Sequence, residues 1–324
     1  MSRILLAPME GLADWVLRDV LTQIGGYDAA VSEFVRVSGS VLPPRSFLRV
    51  CPELAQGCRT PAGVPLAVQL LGSDPVFLAE NAAQLARMSP LGIDLNFGCP
   101  AKTVNRHGGG AMLLGDPALL NTLVRSVRAA VPAPIPVSAK MRLGISDPGL
   151  AIDCARALAE GGAASLVVHA RTRDQGYRPP AHWEWIARIA EAIDIPVIAN
   201  GEVWSVDDWR RCVAISTCKD VMIGRGAVSD PFLALRIKGE MAETPSSDDW
   251  PRLGALIVDY WEKVHGRVLA CHAPGRLKLL VSYFQRHWPE ARALHAGIRS
   301  LRDPGEIRRT LEPLANSVRA RPGT

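Results

Sequence analysis

Apolar residues in this chain fall into eight short, nearly continuous runs, set between stretches whose apolar positions recur every three to four residues. The runs are Ile4–Met9, Ala29–Phe34, Leu66–Leu71, Ile93–Phe97, Val137–Arg142, Leu166–Ala170, Val197–Asn200 and Asp220–Ile223. Without clean polar alternation, they predict parallel strands buried on both faces. The stretches between them predict amphipathic helices. In the first, Leu12, Val16, Val20 and Ile24 share one face, and Gly25-Gly26 ends it. Pro75, Pro117, Pro148 and Pro231 each follow an aspartate, the pairing expected at a helix N-cap and first turn.

Eight strand–helix units fit an α/β fold of the (β/α)8 TIM-barrel kind, which usually takes about 250 residues. A doubly wound sheet is the competing arrangement, but no G-x-G-x-x-G follows the first strand, where a dinucleotide-binding fold would carry it. Residues 242–248 form a polar linker, and beyond it the strand pattern ends. Residues 249–265, 275–288, 290–299 and 304–318 predict a small all-helical bundle. The expected organisation is therefore a barrel domain over residues 1–241 and a helical domain over 242–324. Tyr260, Trp261, Tyr283, Phe284 and Trp288 recur at helical spacing, which places them in the core of the bundle rather than on a base-stacking surface.

Composition adds limits. The profile is that of a globular protein with a sizeable core. The opening residues lack a signal-peptide pattern, since Glu10 and Asp14 follow the first apolar run at once. No apolar run approaches the roughly 18–20 residues that span a bilayer. A cytoplasmic protein without a membrane segment is expected. Seven scattered cysteines with no C-x-x-C pair argue against a disulfide framework and against a zinc site, so reduced buried thiols and no metal are expected. Of the net charge of +5, residues 1–240 carry only +1, and between Lys263 and Arg309 ten basic residues stand against three acidic ones. Such a face suits phosphate binding, although a solvated face that keeps the chain soluble has the same composition.

Barrel chemistry sits at the C-terminal ends of the strands. Those ends read Ala7-Pro8-Met9, Gln69, Asn96 with Cys99, Lys140 with Arg142, His169 with Arg171, Asn200-Gly201 and Gly224-Arg225-Gly226. Hydrogen-bonding groups converge from at least six strands, as an acceptor-rich ligand requires. The last two strands end in glycine, and Asp230-Pro231 begins a new helix; loops seven and eight commonly hold phosphate in barrels, and Arg225 would complete an anion site. Lys140 either meets an anion or carbonyl in the barrel or snorkels out from the strand end. His169 alone reads as structural; paired with Arg171 it becomes a ligand contact. Cys99, followed by Pro100 and the glycine-rich Asn105-Arg-His-Gly-Gly-Gly110, reads as an acid carried on a mobile lid. As a nucleophile it would need a pKa-lowering neighbour such as His107.

Seven segments carry a family resemblance: Ala7-Pro-Met-Glu-Gly11, Val68-Gln-Leu-Leu-Gly72, Asp94-Leu-Asn-Phe-Gly-Cys-Pro100, Lys140-Met-Arg142, His169-Ala-Arg-Thr172, Ala199-Asn-Gly201 and Ile223-Gly-Arg-Gly226. In this order they resemble the signature segments of the tRNA-dihydrouridine synthases. Ser32-Glu-Phe-Val-Arg36 and Gly275-Arg-Leu-Lys278 are most similar to bacterial subfamily C, which modifies the D-loop uridine at tRNA position 16.

The resemblance implies bound FMN, NADPH as electron source and tRNA as substrate, with a monomer expected. It implies that Ala7, Pro8 and Met9 contact the flavin ring, that Gln69 and Lys140 bond its polar edge with His169 nearby, and that Asn200, Gly201, Glu202, Gly224 and Arg225 hold its phosphate. It further implies Cys99 as the proton donor to carbon 5 of the uracil, opposite the hydride delivered to carbon 6. Asn96 and Arg142 would position the base, and Arg36, Arg276 and Lys278 would contact the tRNA. Two other readings remain open at this point: an FMN-dependent barrel oxidoreductase of a small pyrimidine, and a non-catalytic tRNA-binding protein.

Overall fold

The computed structural model describes residues 2–106, 108–269 and 271–319. Its strands are β1 (Ile4–Leu6), β2 (Ala29–Arg36), β3 (Leu66–Leu71), β4 (Ile93–Phe97), β5 (Val137–Arg142), β6 (Leu166–His169), β7 (Val197–Asn200) and β8 (Asp220–Ile223). Each pairs in parallel with the next, and β8 returns to β1 with Ile4 opposite Val221, which closes the barrel. Five strands have the bounds read from the sequence. β1 stops early because Pro8 has no N–H to continue the ladder, and the amides of Leu12 and Ala13 turn back onto the Met9 carbonyl. β2 runs further than expected, through an irregularity between Val31 and Phe34, to pair Arg36 with Leu71.

The aspartate–proline pairs divide. Asp74 accepts hydrogen bonds from the amides of Val76 and Phe77, and Asp116 from that of Leu119, as N-caps do. Asp147 and Asp230 do not cap: the helices after them begin at Ala151 and Leu233. Asp147 instead closes a tight turn onto the Gly149 amide at 2.8 Å, and Asp230 is held by Arg236 at 2.8 Å. A fifth pair, Asp303-Pro304, begins the helix Pro304–Arg319, with the Glu306 amide donating to Asp303 Oδ1 at 2.9 Å.

The chain forms two compact units. The first comprises the residues up to Arg18 together with Tyr27–Val203 and Asp207–Gly224, and contains the barrel. Successive strand residues face opposite sides, so every second side chain points into the barrel. At one level this interior is apolar: Leu5, Val31, Val167, Ile198 and Met222 cluster there, with Ala29 and Ala67 packed against them. Two residues further along β3, β6 and β7, the same alternation places Gln69, His169 and Asn200 inside. On β4 and β5 it places Asp94, Asn96, Ser138 and Lys140 there. The interior thus changes from hydrocarbon to hydrogen-bonding groups towards the C-terminal end. Beside the barrel, the fully buried Arg18 binds both oxygens of Glu53 at 3.0 Å and donates to the carbonyls of Ala13 and Val50.

The second unit comprises Asp19–Gly26, Trp204–Val206 and the chain from Arg225 onward. It contains the helices Trp250–His265, Ala273–Phe284, Pro289–Ile298 and Pro304–Arg319. Tyr260, Trp261, Phe284 and Trp288 are buried in it, as their spacing predicts, while Tyr283 is partly exposed. Trp288 meets Phe284 and Phe232 edge-on, with ring centroids 6.2 and 6.5 Å apart. Arg236, also buried, bridges Asp230 and Asp249. No helix among the described residues is long and apolar enough to cross a membrane. The seven thiols are free, and only that of Cys271 is exposed.

Candidate active site

Three neighbouring strands share one hydrogen-bonded chain inside the barrel. Asp94 of β4 accepts from Gln69 Nε2 of β3 at 2.7 Å and from Ser138 Oγ of β5 at 2.6 Å. Gln69 Oε1 in turn accepts from Asn96 Nδ2 at 2.8 Å. Asn96 Oδ1 accepts from the amides of Gly98 and Cys99, at 3.0 and 2.9 Å, and so shapes the turn that follows β4. Gln69 and Asp94 are buried. Burial pushes the Asp94 carboxyl above its usual range, against the hydrogen bonds from Gln69 and Ser138 and the charge of Lys140.

Cys99 sits on that turn, largely buried. Its carbonyl accepts from Asn105 Nδ2 at 2.9 Å and from the Ala111 amide at 3.1 Å. Gly110 makes this closure possible: at φ +60° its backbone is left-handed, and a Cβ there would lie 2.7 Å from the Cys99 carbonyl oxygen. The cysteine expected on a mobile lid is therefore held from both sides. Burial raises the pKa of its thiol. A hydrogen bond from the Ala101 backbone opposes this, the charge of Glu10 adds to it, and Arg142 and Arg36 oppose it. His107, the candidate activator, lies outside the described residues.

Lys140 Nζ donates to Asn200 Oδ1 at 3.0 Å, and Asn200 Nδ2 donates to the Met222 carbonyl at 2.8 Å. Loss of hydration and the nearby Arg142 lower the Lys140 pKa to about 7, against the pull of Asp94. Arg142 is buried, with Nε on the Gly98 carbonyl at 2.8 Å and Nη1 on the carbonyls of Thr172 and Gly176. His169 Nε2 lies 3.3 Å from Arg171 Nη1, and Arg171 pairs with Glu202, whose carboxylate also accepts from the Ala181 amide. The Glu202 side chain is thus bound within the protein. At Gly201, φ is +117° and a Cβ would stand 2.9 Å from His169 Cδ2, so bare backbone is required beside the imidazole. Gly224 faces Ala7 and Met9, so the ends of β1 and β8 meet there. Arg225 opens the helix Arg225–Ser229 of the second unit, its guanidinium 5.2 Å over the Trp204 ring.

The closed parallel barrel and the sequence that forms it have counterparts among known proteins. The family model described as dihydrouridine synthase matches residues 5–260. The chain belongs to the dihydrouridine synthase family. Members of this family reduce uridine in tRNA to dihydrouridine in a flavin-dependent reaction. The tRNA-dihydrouridine(16) synthase of Cupriavidus necator is 66% identical over 320 residues, covering 99% of each chain. That of Ralstonia nicotianae is 65% identical over 312 residues, covering 96% of each. Among solved structures, histamine dehydrogenase from Rhizobium sp. 4-9 shares the fold, with a TM-score of 0.57 at 14% identity, over 80% of this chain and 48% of that one.

Of the remaining residues singled out for this dihydrouridine synthase family member, one belongs to the first unit and two to the second. Arg36, at the end of β2, is exposed and donates to the Thr103 carbonyl at 3.3 Å. Arg276 and Lys278 lie on the helix Ala273–Phe284 of the second unit; burial lowers the Arg276 pKa, and the Lys278 amine is turned onto the Leu301 carbonyl. Three residues of the site escaped the sequence reading. Asp94 and Ser138 were hidden inside strands, where only the pairing of β4 with β5 shows that they meet. Tyr177, 53% exposed, lies under the Arg142 guanidinium at 5.3 Å and 6.1 Å from the His169 ring, in a loop with no periodic pattern.

Proposed function

We propose that this chain reduces the D-loop uridine at position 16 of tRNA to 5,6-dihydrouridine, using bound FMN and NADPH, with Cys99 as the proton donor. The observation that carries the reading is Cys99 itself: a thiol kept protonated by burial, fixed by Asn96 at the end of β4 and joined through Gln69 to the polar interior of the barrel. The names of the two relatives, similar over nearly the whole chain, support tRNA and position 16. A reaction on tRNA with NADPH belongs in the cytoplasm.

The residues fit a flavin. Lys140 uses one of its three protons on Asn200, which leaves donors for an acceptor-rich ring edge. Gln69 keeps one amide proton and one lone pair beyond its bonds to Asp94 and Asn96. Ala7, Pro8 and Met9 present the end of β1 to the ring, with His169 close to Lys140's partner Asn200. Asn200, Gly201 and Gly224, at the ends of β7 and β8, would hold the flavin's phosphate, where barrels commonly bind one. When bound, FMN reduced by NADPH supplies a hydride to carbon 6 of the uracil. Cys99 gives its proton to carbon 5, Asn96 orients the base, and the charges of Lys140 and Arg142 stabilise the carbonyl that gains negative charge. The target base must leave its stack to reach these groups. Arg36, and in the second unit Arg276 and Lys278, bind the tRNA backbone.

The test is to incubate the protein with NADPH and tRNA lacking dihydrouridine, and to map by mass spectrometry any uridine that has gained two hydrogens. A gain at position 16 is expected. A gain at another position would discard the positional reading, and no gain from flavin-loaded protein would overturn the reaction.

A further inference from the structure

Asp94 does not touch Cys99, yet it stands at the head of the chain that leads through the Gln69 amide to the turn carrying Cys99. A carboxylate only accepts hydrogen bonds, so Gln69 must turn its NH2 group to Asp94 and its carbonyl away. That carbonyl then requires a donor, which Asn96 Nδ2 supplies; Asn96 is left with its own carbonyl for the Cys99 amide. Reversing the Gln69 amide would set carbonyl against carboxylate and NH2 against NH2, so one polarity runs from Asp94 to the Cys99 backbone. Ser138 holds the other oxygen of the carboxylate at 2.6 Å, and the register seats Asp94 between Gln69 and Ser138. The residue is 1% exposed, so water cannot replace these bonds.

We propose that Asp94 is a positioning residue of the reaction: clamped between Gln69 and Ser138, its carboxylate sets the orientation of the Gln69 amide and, through Asn96, the seat of Cys99. This rests on the roles assigned above to Gln69 and Cys99. Packing alone does not require it, since an apolar residue of similar volume would fill the space, and a buried carboxylate is costly unless its bonds are used.

The experiment compares Asp94→Ala, Asp94→Asn and Ser138→Ala in flavin-loaded protein. It measures the visible flavin spectrum and midpoint potential, the rate of Cys99 alkylation by iodoacetamide followed by peptide mass spectrometry, and kcat and KM with tRNA. Asp94→Ala is expected to shift the flavin band and potential, to speed Cys99 alkylation, and to lower kcat about ten- to a hundredfold, as misplaced catalytic groups do. KM for tRNA should change less than about twofold, because binding is not the interaction removed. Asp94→Asn can still accept from Gln69 and donate to Ser138, and should restore the spectrum, the slow alkylation and most of kcat. In a Gln69→Ala background, Asp94→Ala should cost little more kcat, since both act through one amide.

A wild-type spectrum and alkylation rate in folded Asp94→Ala, or losses that add to those of Gln69→Ala, would overturn the assignment. If Asp94→Ala does not fold, Ser138→Ala decides: it frees one oxygen of the carboxylate and should move both readouts the same way by less, and no movement overturns the proposal. If wild-type protein makes no dihydrouridine while the spectral and alkylation shifts occur, the reaction proposed above fails and the positioning role stands.

Discussion

Arg142 Nε donates to the Gly98 carbonyl at 2.8 Å, so the last residue of β5 grips the turn on which Cys99 sits. Two further carbonyls, of Thr172 and Gly176, share Nη1 of the same guanidinium. A lysine lacks the rigid planar fork with which this side chain serves three carbonyls. Arg142→Lys should therefore retain flavin while kcat for dihydrouridine formation falls by at least about tenfold. Flavin absorbance and single-turnover rates measure the two; an unchanged rate would remove Arg142 from the positioning of the turn.

Cys99→Ala should stay yellow and lose about a hundred- to ten-thousandfold in product formation, the usual weight of a positioned acid. Since burial raises the thiol pKa, the acid form persists through neutrality. Loss of the thiol proton should lower the wild-type rate only above the ordinary thiol value of roughly 8.5, separate from any fall near pH 7 that reports Lys140. A rate that instead rises with pH towards the thiol value would mean that the thiolate, not the thiol, is wanted.

Lys140 gives a stability signature that needs no substrate. Its folded pKa of about 7 lies below the ordinary lysine value of 10.5, so between the two the unfolded chain binds more protons and stability from this group rises with pH. The penalty is complete below about pH 7 and gone above roughly 10.5. In flavin-free protein, the difference in Tm between Lys140→Met and wild type should shrink as pH rises through this window. A constant difference would show that Lys140 is not desolvated.

The Arg18–Glu53 pair predicts an asymmetry. Glu53→Ala leaves a buried guanidinium without its counter-charge and should cost about 3–5 kcal/mol in denaturant unfolding. Arg18→Met with Glu53→Leu removes both charges and should cost less than the single change. Equal losses would show that the carbonyls of Ala13 and Val50, not the ion pair, are what Arg18 secures.

For the tail, Arg276 and Lys278 changed together to alanine should weaken tRNA binding and reduce the slope of log K against log salt by about one to two, one for each phosphate no longer neutralised. Because the Lys278 amine bonds the Leu301 carbonyl, Arg276→Ala alone should carry more than half of the effect. Binding unchanged in both variants would place the grip elsewhere on the chain.

Much of this is legible in the sequence alone. Strands buried on both faces announce themselves as unbroken apolar runs, and Gln69, Asn96 and Lys140 stand out as polar groups at their ends. Asp94 does not, because a carboxylate inside an apolar run has no local explanation; its partners are 25 and 44 residues away and meet it only through the register of the adjacent strands. The caps expected at Asp147 and Asp230 fail for a related reason. Asp-Pro describes a local preference, and at Asp230 the guanidinium of Arg236 takes Oδ2 while Oδ1 accepts from the Phe232 amide, ahead of the helix. Glu202 reads as a phosphate neighbour in sequence, but its carboxylate is engaged by Arg171, a residue 31 positions before it.

The clasp on Cys99 decides which molecule must yield. With its amide on Asn96 and its carbonyl on Asn105 and Ala111, the donor cannot swing outward to follow a base that stops short. In the proposed reaction the travelling is left to the nucleic acid. A D-loop with slack would deliver its uridine; one stiffened by its own tertiary pairing would have to be loosened first. Discrimination among tRNAs would then be exercised by the compliance of the RNA, against a fixed thiol that acts as a gauge.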